Sequence, residues 1–316
     1  MKYVSLFLCL PFLLLGQTPK EDASNYITKK QYIKAQEVMI DYILEHPLDK
    51  EALELLGDAY GYQKKWDEAI EYYKLLKGLE NNNANYHYKY GVALGMKALT
   101  MSKLRALGAI DDIKSSFIKA AELDPNHIDA RWALVELYMT LPGIVGGSKN
   151  KSMKYAYELE ALSKVDGYLA KGYIYEYDDE PELAEKYYKM AVKDGGSVTC
   201  YEKLTNLYES QNEPEKAIET IEASQDKHKR NALHYQLGKV SADYNIQLDK
   251  GEQYLLQYIK NYSSADGVPI EWAYYRLAQI YKHKMNSQKG RSYIDKALSL
   301  RSDFKEALKV KATISK

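Results

Sequence analysis

Few residues in this sequence have both the type and the spacing to do chemistry. Six histidines, His46, His87, His127, His228, His234 and His283, could ligate a metal or move protons. No two of them stand at i, i+4, the spacing that presents two imidazoles on one helix face beside a glutamate for zinc hydrolysis. His228 and His234 are six apart across an expected interhelical turn, and no metal is expected there. Cys200 stands where a helix should open, a place that can activate a thiol, but a small helix-opening residue with an ordinary thiol accounts for it. The stretch EYDDEPE, 176–182, is the densest acidic cluster. It lacks the alternating Asp-x-Asp-x-Asp-Gly order of a calcium loop, and acids before a helix start are favoured by the helix dipole in any case. In LPGIVGGSKNKS, 141–152, Gly143, Gly146 and Gly147 permit left-handed angles and could cradle an anion, with Ser148 as N-cap of the next helix. The stretch lacks the Gly-Lys-Ser/Thr ending of a phosphate loop, so a structural loop is expected. No Gly-x-Ser-x-Gly elbow or dinucleotide fingerprint occurs. The expectation is no catalytic residue, no cofactor site, no metal site and no enzyme.

Composition points the same way. Lys+Arg and Asp+Glu are equal at 44 each, which removes a global basic bias toward nucleic acid. Tyrosine dominates the aromatics, 31 against 4 phenylalanines and 3 tryptophans. Its ring can be buried while its hydroxyl reaches water, which suits a thin structure better than a wide dry core. The opening MKYVSLFLCLPFLLLG has a positive start, an apolar run and a small residue before polar QTPKED. It predicts a signal peptide over 1–16, cleaved between Gly16 and Gln17, and export to the periplasm or outside the cell. The run is shorter than the roughly 20 residues that span a bilayer, so no stable membrane span is expected after cleavage. Cys9 would leave with it, and Cys200 alone cannot form an internal disulfide.

The elements that position everything else come from a repeated spacing. Tyr60 to Ala69, Tyr175 to Ala184, Tyr208 to Ala217 and Tyr281 to Gly290 are each nine residues, and an apolar residue follows four later at Tyr73, Tyr188, Ile221 and Ile294. A tyrosine late in one helix meeting a small residue early in the next explains the nine, and one helical turn explains the four. The segments between are polar, and Pro181 and Pro214 stand where second helices should start. The pattern resembles the tetratricopeptide repeat, a 34-residue helical hairpin, and specifically its exported bacterial type. Leu56, Gly57, Tyr60, Ala69 and Tyr73 carry the resemblance in one unit, and Gly172, Tyr175, Ala184, Tyr188 and Ala191 in a second. Phe117, Ala120 and Pro125 carry it in a third; Leu237, Gly238, Gly251, Leu255 and Tyr258 in a fourth.

The resemblance implies an all-α, right-handed superhelical solenoid of such hairpins. Eight units are expected within 17–304, at roughly 16–49, 50–83, 84–127, 128–164, 165–197, 198–230, 231–270 and 271–304, with a closing helix at 305–316. The first unit lacks a good opening helix, and the unit at 84–127 should carry lengthened helices. No Gly-, Pro- or Ser-rich linker divides the array, which reads as one domain.

In this family first helices line the concave face, and positions 2, 5, 9 and 12 of each unit point inward. Nine of those residues are acidic and two basic, both lysines (Lys239 and Lys282) falling in the last two units. Some family members hold a terminal carboxylate there with lysines and asparagines; Glu54, Asp58 and Glu136 disfavour that here. The expected partner is a basic or amphipathic segment of another protein, bound by acids and aromatic anchors. The candidate face comprises Glu54, Asp58, Tyr88, Trp132, Glu136, Tyr173, Glu176, Glu202, Asn206, Tyr235, Trp272 and Tyr275, some of whose rings are expected to be ordinary inter-helix packing. The alternative is a small-molecule or glycan binder stacking on Trp132, Tyr173 and Trp272. Self-association through the terminal units is a further possibility.

Overall fold

The computed structural model describes residues 18–314; the expected signal segment, 1–16, lies outside the described residues. Among the described residues all regular structure is helical, and two compact units divide between Ser148 and Lys149. The first unit holds α1 (Pro19–Thr28), α2 (Tyr32–Glu45), α3 (Lys50–Tyr62), α4 (Trp66–Leu79), α5 (Ala84–Leu99), α6 (Lys103–Leu107), α7 (Ile110–Leu123) and α8 (Ile128–Thr140). The second holds α9 (Lys149–Leu162), α10 (Lys164–Tyr177), α11 (Pro181–Asp194), α12 (Val198–Ser210), α13 (Pro214–His228), α14 (Asn231–Tyr244), α15 (Leu248–Lys260), α16 (Ile270–His283), α17 (Ser287–Leu300) and α18 (Lys305–Ile314).

The turn chemistry explains the nine-residue spacing. Tyr60, Tyr175, Tyr208 and Tyr281 each stand two residues before the end of a first helix, and the residue four later takes a left-handed backbone: Lys64, Asp179, Asn212 and Met285, with φ between 57° and 61°. The next amide then donates back to the tyrosine carbonyl, as in Lys65 N to Tyr60 O at 3.0 Å and Glu213 N to Tyr208 O at 2.8 Å. This closure satisfies carbonyls that a helix end leaves orphaned. The second helix starts one residue further on, with Pro181 and Pro214 as the first residues of α11 and α13. Its fourth residue is then the small one, and Ala69, Ala184 and Ala217 are fully buried.

A fifth copy of the device shows that α1 exists, where the spacing had suggested no good opening helix. Tyr26 accepts from Gln31 N at 2.8 Å, Lys30 has φ 58°, and Ala35 is buried nine residues after Tyr26. A capping box between Thr18 and Glu21, with Pro19 first in the helix, starts it. Because a left-handed L-residue costs about 1–2 kcal/mol and glycine's extra chain entropy about 0.5–1, Met285→Gly should stabilise the protein by up to about 1 kcal/mol. Asn212→Gly should gain less, since asparagine tolerates this conformation. A urea midpoint that moves up for the first and hardly at all for the second is the expected result.

Close helix approach also occurs away from the tyrosine–alanine pair. A Cβ at Gly57 would stand 2.8 Å from the Tyr73 ring, and one at Gly172 would stand 2.4 Å from that of Tyr188. The turn tyrosines instead stack on a ring from the second helix: Tyr60 on Tyr72, Tyr175 on Tyr187 and Tyr281 on Tyr293, with centroids 5.4–5.6 Å apart and planes within 9°. Such pairs add about 0.5–1.5 kcal/mol beyond area burial, and these three take six of the 31 tyrosines.

The extra length in the third hairpin is only partly a longer helix. The first helix, α5, reaches 16 residues, and the remainder forms the five-residue α6. At the far end α18 packs on α16 and α17, with Ala307 and Ile314 buried beside Tyr275, Ile294 and Phe304.

Asp49 joins the first two hairpins. It caps α3 by accepting from Ala52 N at 3.0 Å, and it takes Lys20 Nζ at 3.2 Å and the Tyr42 hydroxyl at 3.3 Å. Burial works to raise its pKa, but the Ala52 amide and Lys20 outweigh this and hold it below the ordinary value. A depressed folded-state pKa gives stability that is present above the unfolded value, near 3.9, and lost as pH falls through the folded one. Asp49→Ala should therefore cost about 1 kcal/mol at neutral pH, and the gap to wild type should narrow below roughly pH 4. Urea unfolding at pH 7 and pH 3 checks this.

Candidate functional site

In the first unit the first helices bring several expected residues together. Glu54 and Asp58 are one helical turn apart on α3 and face Lys89 on α5. Lys89 Nζ lies 2.7 Å from Glu54 Oε1 and 2.7 Å from both Asp58 oxygens. Asn85 Nδ2 donates to Glu54 Oε1 at 2.8 Å, and the Tyr73 hydroxyl donates to Asp58 Oδ1 at 2.6 Å. Burial alone would lower the Lys89 pKa; Asp58 and Glu54 outweigh it and push it up, so the ammonium stays charged. The Tyr73 hydroxyl is pushed up by burial and then by Asp58. One cation against two carboxylates leaves this cluster with one negative charge.

Behind the cluster a pocket of about 230 Å3 opens, lined by Asp58, Gly61, Tyr62, Trp66, Tyr73, Tyr88, Lys89, Val92 and Ala93. Gly61 makes the room. A Cβ there would meet nothing closer than 3.8 Å, to Trp66 and the Tyr73 hydroxyl, and its backbone angle is helical. A glycine inside a helix costs about 1 kcal/mol relative to alanine, and here neither packing nor backbone geometry requires it. Tyr88 forms one wall, tilted against Phe117 at 6.0 Å and His127 at 5.0 Å between ring centroids. Tyr62 forms the exposed rim and stacks on Tyr32.

The acids of this face are less free than the sequence suggested. Besides Glu54 and Asp58, Glu176 accepts the Tyr188 hydroxyl at 2.6 Å, and Glu209 pairs with Lys239 at 2.7 Å. Asp243 pairs in turn with Lys239 and Arg276. Glu209–Lys239 and Asp243–Arg276 each join one first helix to the next, while Lys239–Asp243 lies within α14, so part of the acidic bias stitches the stack. Glu202 and Asn206 on α12 stay exposed, as does Glu136 on α8.

Two expected aromatic anchors are core residues instead. Tyr235 is buried against Tyr258 and Tyr275 against Phe304, which leaves neither ring a free face. Trp272 is half-buried, edge-on to both Tyr275 and Phe304. Tyr173 packs on Tyr177 one turn later, and Trp132 is half-buried. Tyr173 and Trp272 lie on α10 and α16 with two hairpins between them, so they do not surround one pocket.

The other chemistry-bearing residues have structural partners. The amides of Val145, Gly146 and Gly147 donate within their own loop, and that of Ser148 donates to Tyr138 O on α8 at 2.8 Å. A Cβ on Gly147 would overlap Leu141 O, so that glycine is needed for the fold-back. Lys149 ties down Asp178 and Glu180 of the acidic cluster. His228 faces Gly196 O at 2.9 Å, whereas His234 faces Asn231 and Gln225. Cys200 is buried. Among the described residues no group of three or more His, Cys, Asp or Glu is placed to hold a metal ion.

Family models described as tetratricopeptide repeat match residues 52–85 and 273–310. Comparison with curated proteins gives no match. Among solved structures, a tetratricopeptide repeat protein from Parabacteroides merdae aligns over 94% of this chain and 98% of its own, with a TM-score of 0.52 and 12% identity. YrrB, a tetratricopeptide protein described as having an unusual peptide-binding site, aligns over 62% of this chain and 97% of its own, with a TM-score of 0.44 and 16% identity. Each unit thus contains one segment matched as a tetratricopeptide repeat, and the chain shares the all-helical fold of stacked hairpins with the first of these structures.

Proposed function

We propose that this protein is a non-catalytic scaffold that holds a segment of a partner protein against the first helices of its first unit, with the pocket under Gly61 as the anchor site. The observation that carries the reading is the pocket itself: apolar and aromatic walls sized for one large side chain, opened by a helix-interior glycine that the fold does not need. The surplus negative charge on Glu54, Asp58 and Lys89 selects a lysine or arginine beside the anchor, which makes the partner basic or amphipathic. Backbone-independent recognition of one anchor plus one charge is how short segments gain specificity from a small surface.

Selection of displayed random peptides on the full chain tests this. Enriched peptides should share a large apolar or aromatic residue next to Lys or Arg, and they should be lost on the Gly61→Leu protein. Peptides with no common anchor, or equal retention by the variant, would refute it.

We further propose that the protein is exported after removal of residues 1–16, on the strength of the positive, apolar and small-residue order at its start. Mass spectrometry of the protein from its native source should find Gln17 at the N-terminus. A chain still beginning at Met1 would refute export by this route.

A further inference from the structure

The third hairpin and the glycine loop of the first unit leave large apolar side chains in water. Leu99 and Leu104 are 80% and 81% exposed, Leu107 nearly half, and Ile144 96%. All four stand at one edge. The first helices α5 and α8 lie side by side at their starts, where Tyr88 meets His127, so their C-terminal ends leave on the same side. The loop after α8 returns toward the start of α7, since a Cβ on Gly146 would come within 4.0 Å of Lys114 Nζ. The short α6 immediately precedes that point.

Charge tells what this edge would meet. From Asn81 to Ile110 the chain has no acid, while Lys89, Lys97, Lys103 and Arg105 fall within it. Lys89 and Lys97 are spent on Asp58 and Asp67. Lys103 and Arg105 are exposed, alternate with the leucines of α6, and have no ion pair among the described residues. The nearest acids, Asp111 and Asp112, open α7, where Asp111 is taken by Lys114 at 2.7 Å. The loop 141–148 carries no charge. Projecting leucines and an isoleucine on two neighbouring tips, flanked by unpaired cations, form the pattern of a segment that dips into a membrane interface while its charges stay among the headgroups. Among the described residues no helix is long and apolar enough to cross a membrane, so the contact is peripheral.

We propose that this edge docks on an anionic lipid surface, with Leu99, Leu104, Leu107 and Ile144 entering the interface and Lys103 and Arg105 contacting the headgroups. The inference is independent of the partner-binding pocket.

Site-resolved fluorescence on the full chain tests it without interference from the apolar N-terminal run. In a Cys9→Ser background, Leu104→Cys and Ile144→Cys are each labelled with an environment-sensitive fluorophore. Leu44→Cys serves as control, because Leu44 is 77% exposed but flanked by Asp41 and Glu45. Vesicles containing phosphatidylglycerol should shift emission to the blue at 104 and 144 but not at 44, and phosphatidylcholine alone should act weakly. Adding Lys103→Glu with Arg105→Glu should raise the lipid concentration required at least about tenfold. No shift at 104 and 144, an equal shift at 44, indifference to the charge reversal, or a blue shift that grows with protein concentration without lipid (an edge that covers itself) would each overturn the proposal.

Discussion

Tyr188→Ala should destabilise the protein by about 4 kcal/mol, near the upper range for removing a buried aromatic ring. Tyr188 is fully buried, its ring lies against the bare backbone of Gly172, and its hydroxyl donates to Glu176. Truncation empties the space between α10 and α11, and neither helix can close it without breaking the Tyr175–Tyr187 stack beside it. Two companion variants separate the contributions. Tyr188→Phe keeps the ring and loses only a hydrogen bond to a carboxylate, about 1.5–3 kcal/mol at most. Gly172→Ala forces a Cβ into the ring, and overpacking of about 1–3 kcal/mol should exceed the roughly 1 kcal/mol gained in helix propensity. Urea unfolding of the three variants checks the order. A Gly172→Ala protein as stable as wild type would contradict this close contact between α10 and the Tyr188 ring.

Gly61→Leu should do the reverse: leave stability unchanged or slightly raised, and strongly weaken binding. Leucine gains about 0.8 kcal/mol over glycine in a helix, and the site offers it open space rather than a ring. The same side chain occupies the volume that a partner's anchor would take. Burying one large apolar side chain supplies about 2–3 kcal/mol, so losing the anchor should weaken a selected peptide roughly 30- to 150-fold. Titration calorimetry with such a peptide, alongside the unfolding midpoint of the variant, reads both effects. A drop in affinity accompanied by a drop in stability would point to damage rather than blockade.

These two glycines show how far the sequence could be read. Gly172 and Gly61 look alike as letters in a helix. The first was legible as a repeat residue because its partner, Tyr188, stands at a fixed offset within the same hairpin. Distances inside one hairpin are set by helix geometry and one turn, and both repeat in the sequence; Tyr26 and Ala35 keep the same nine-residue spacing, yet it was missed in the first unit, where no good opening helix was expected.

Contacts between hairpins were not legible. Lys89 pairs with Glu54 and Asp58 from the next repeat, at a position outside the four counted as inward, because the rotation between neighbouring hairpins decides which side chains meet. The fate of each ring likewise depended on its local partner. Tyr88 and Tyr235 occupy the same register in their repeats, yet Tyr235 is covered by Tyr258 while Tyr88 keeps one side on the pocket.

The most direct test of the binding account is photo-crosslinking from the pocket rim. A photoreactive amino acid replaces Tyr62, which is 58% exposed beside the pocket, and in a second protein replaces Tyr177, which is 52% exposed on α10. Both full-length proteins are irradiated in an extract of the native source, and crosslinked peptides are mapped by mass spectrometry. The account predicts one partner segment joined at position 62 alone, with a large apolar or aromatic residue next to Lys or Arg at the crosslink. No crosslink at 62, or the same proteins captured from 62 and 177, would contradict it.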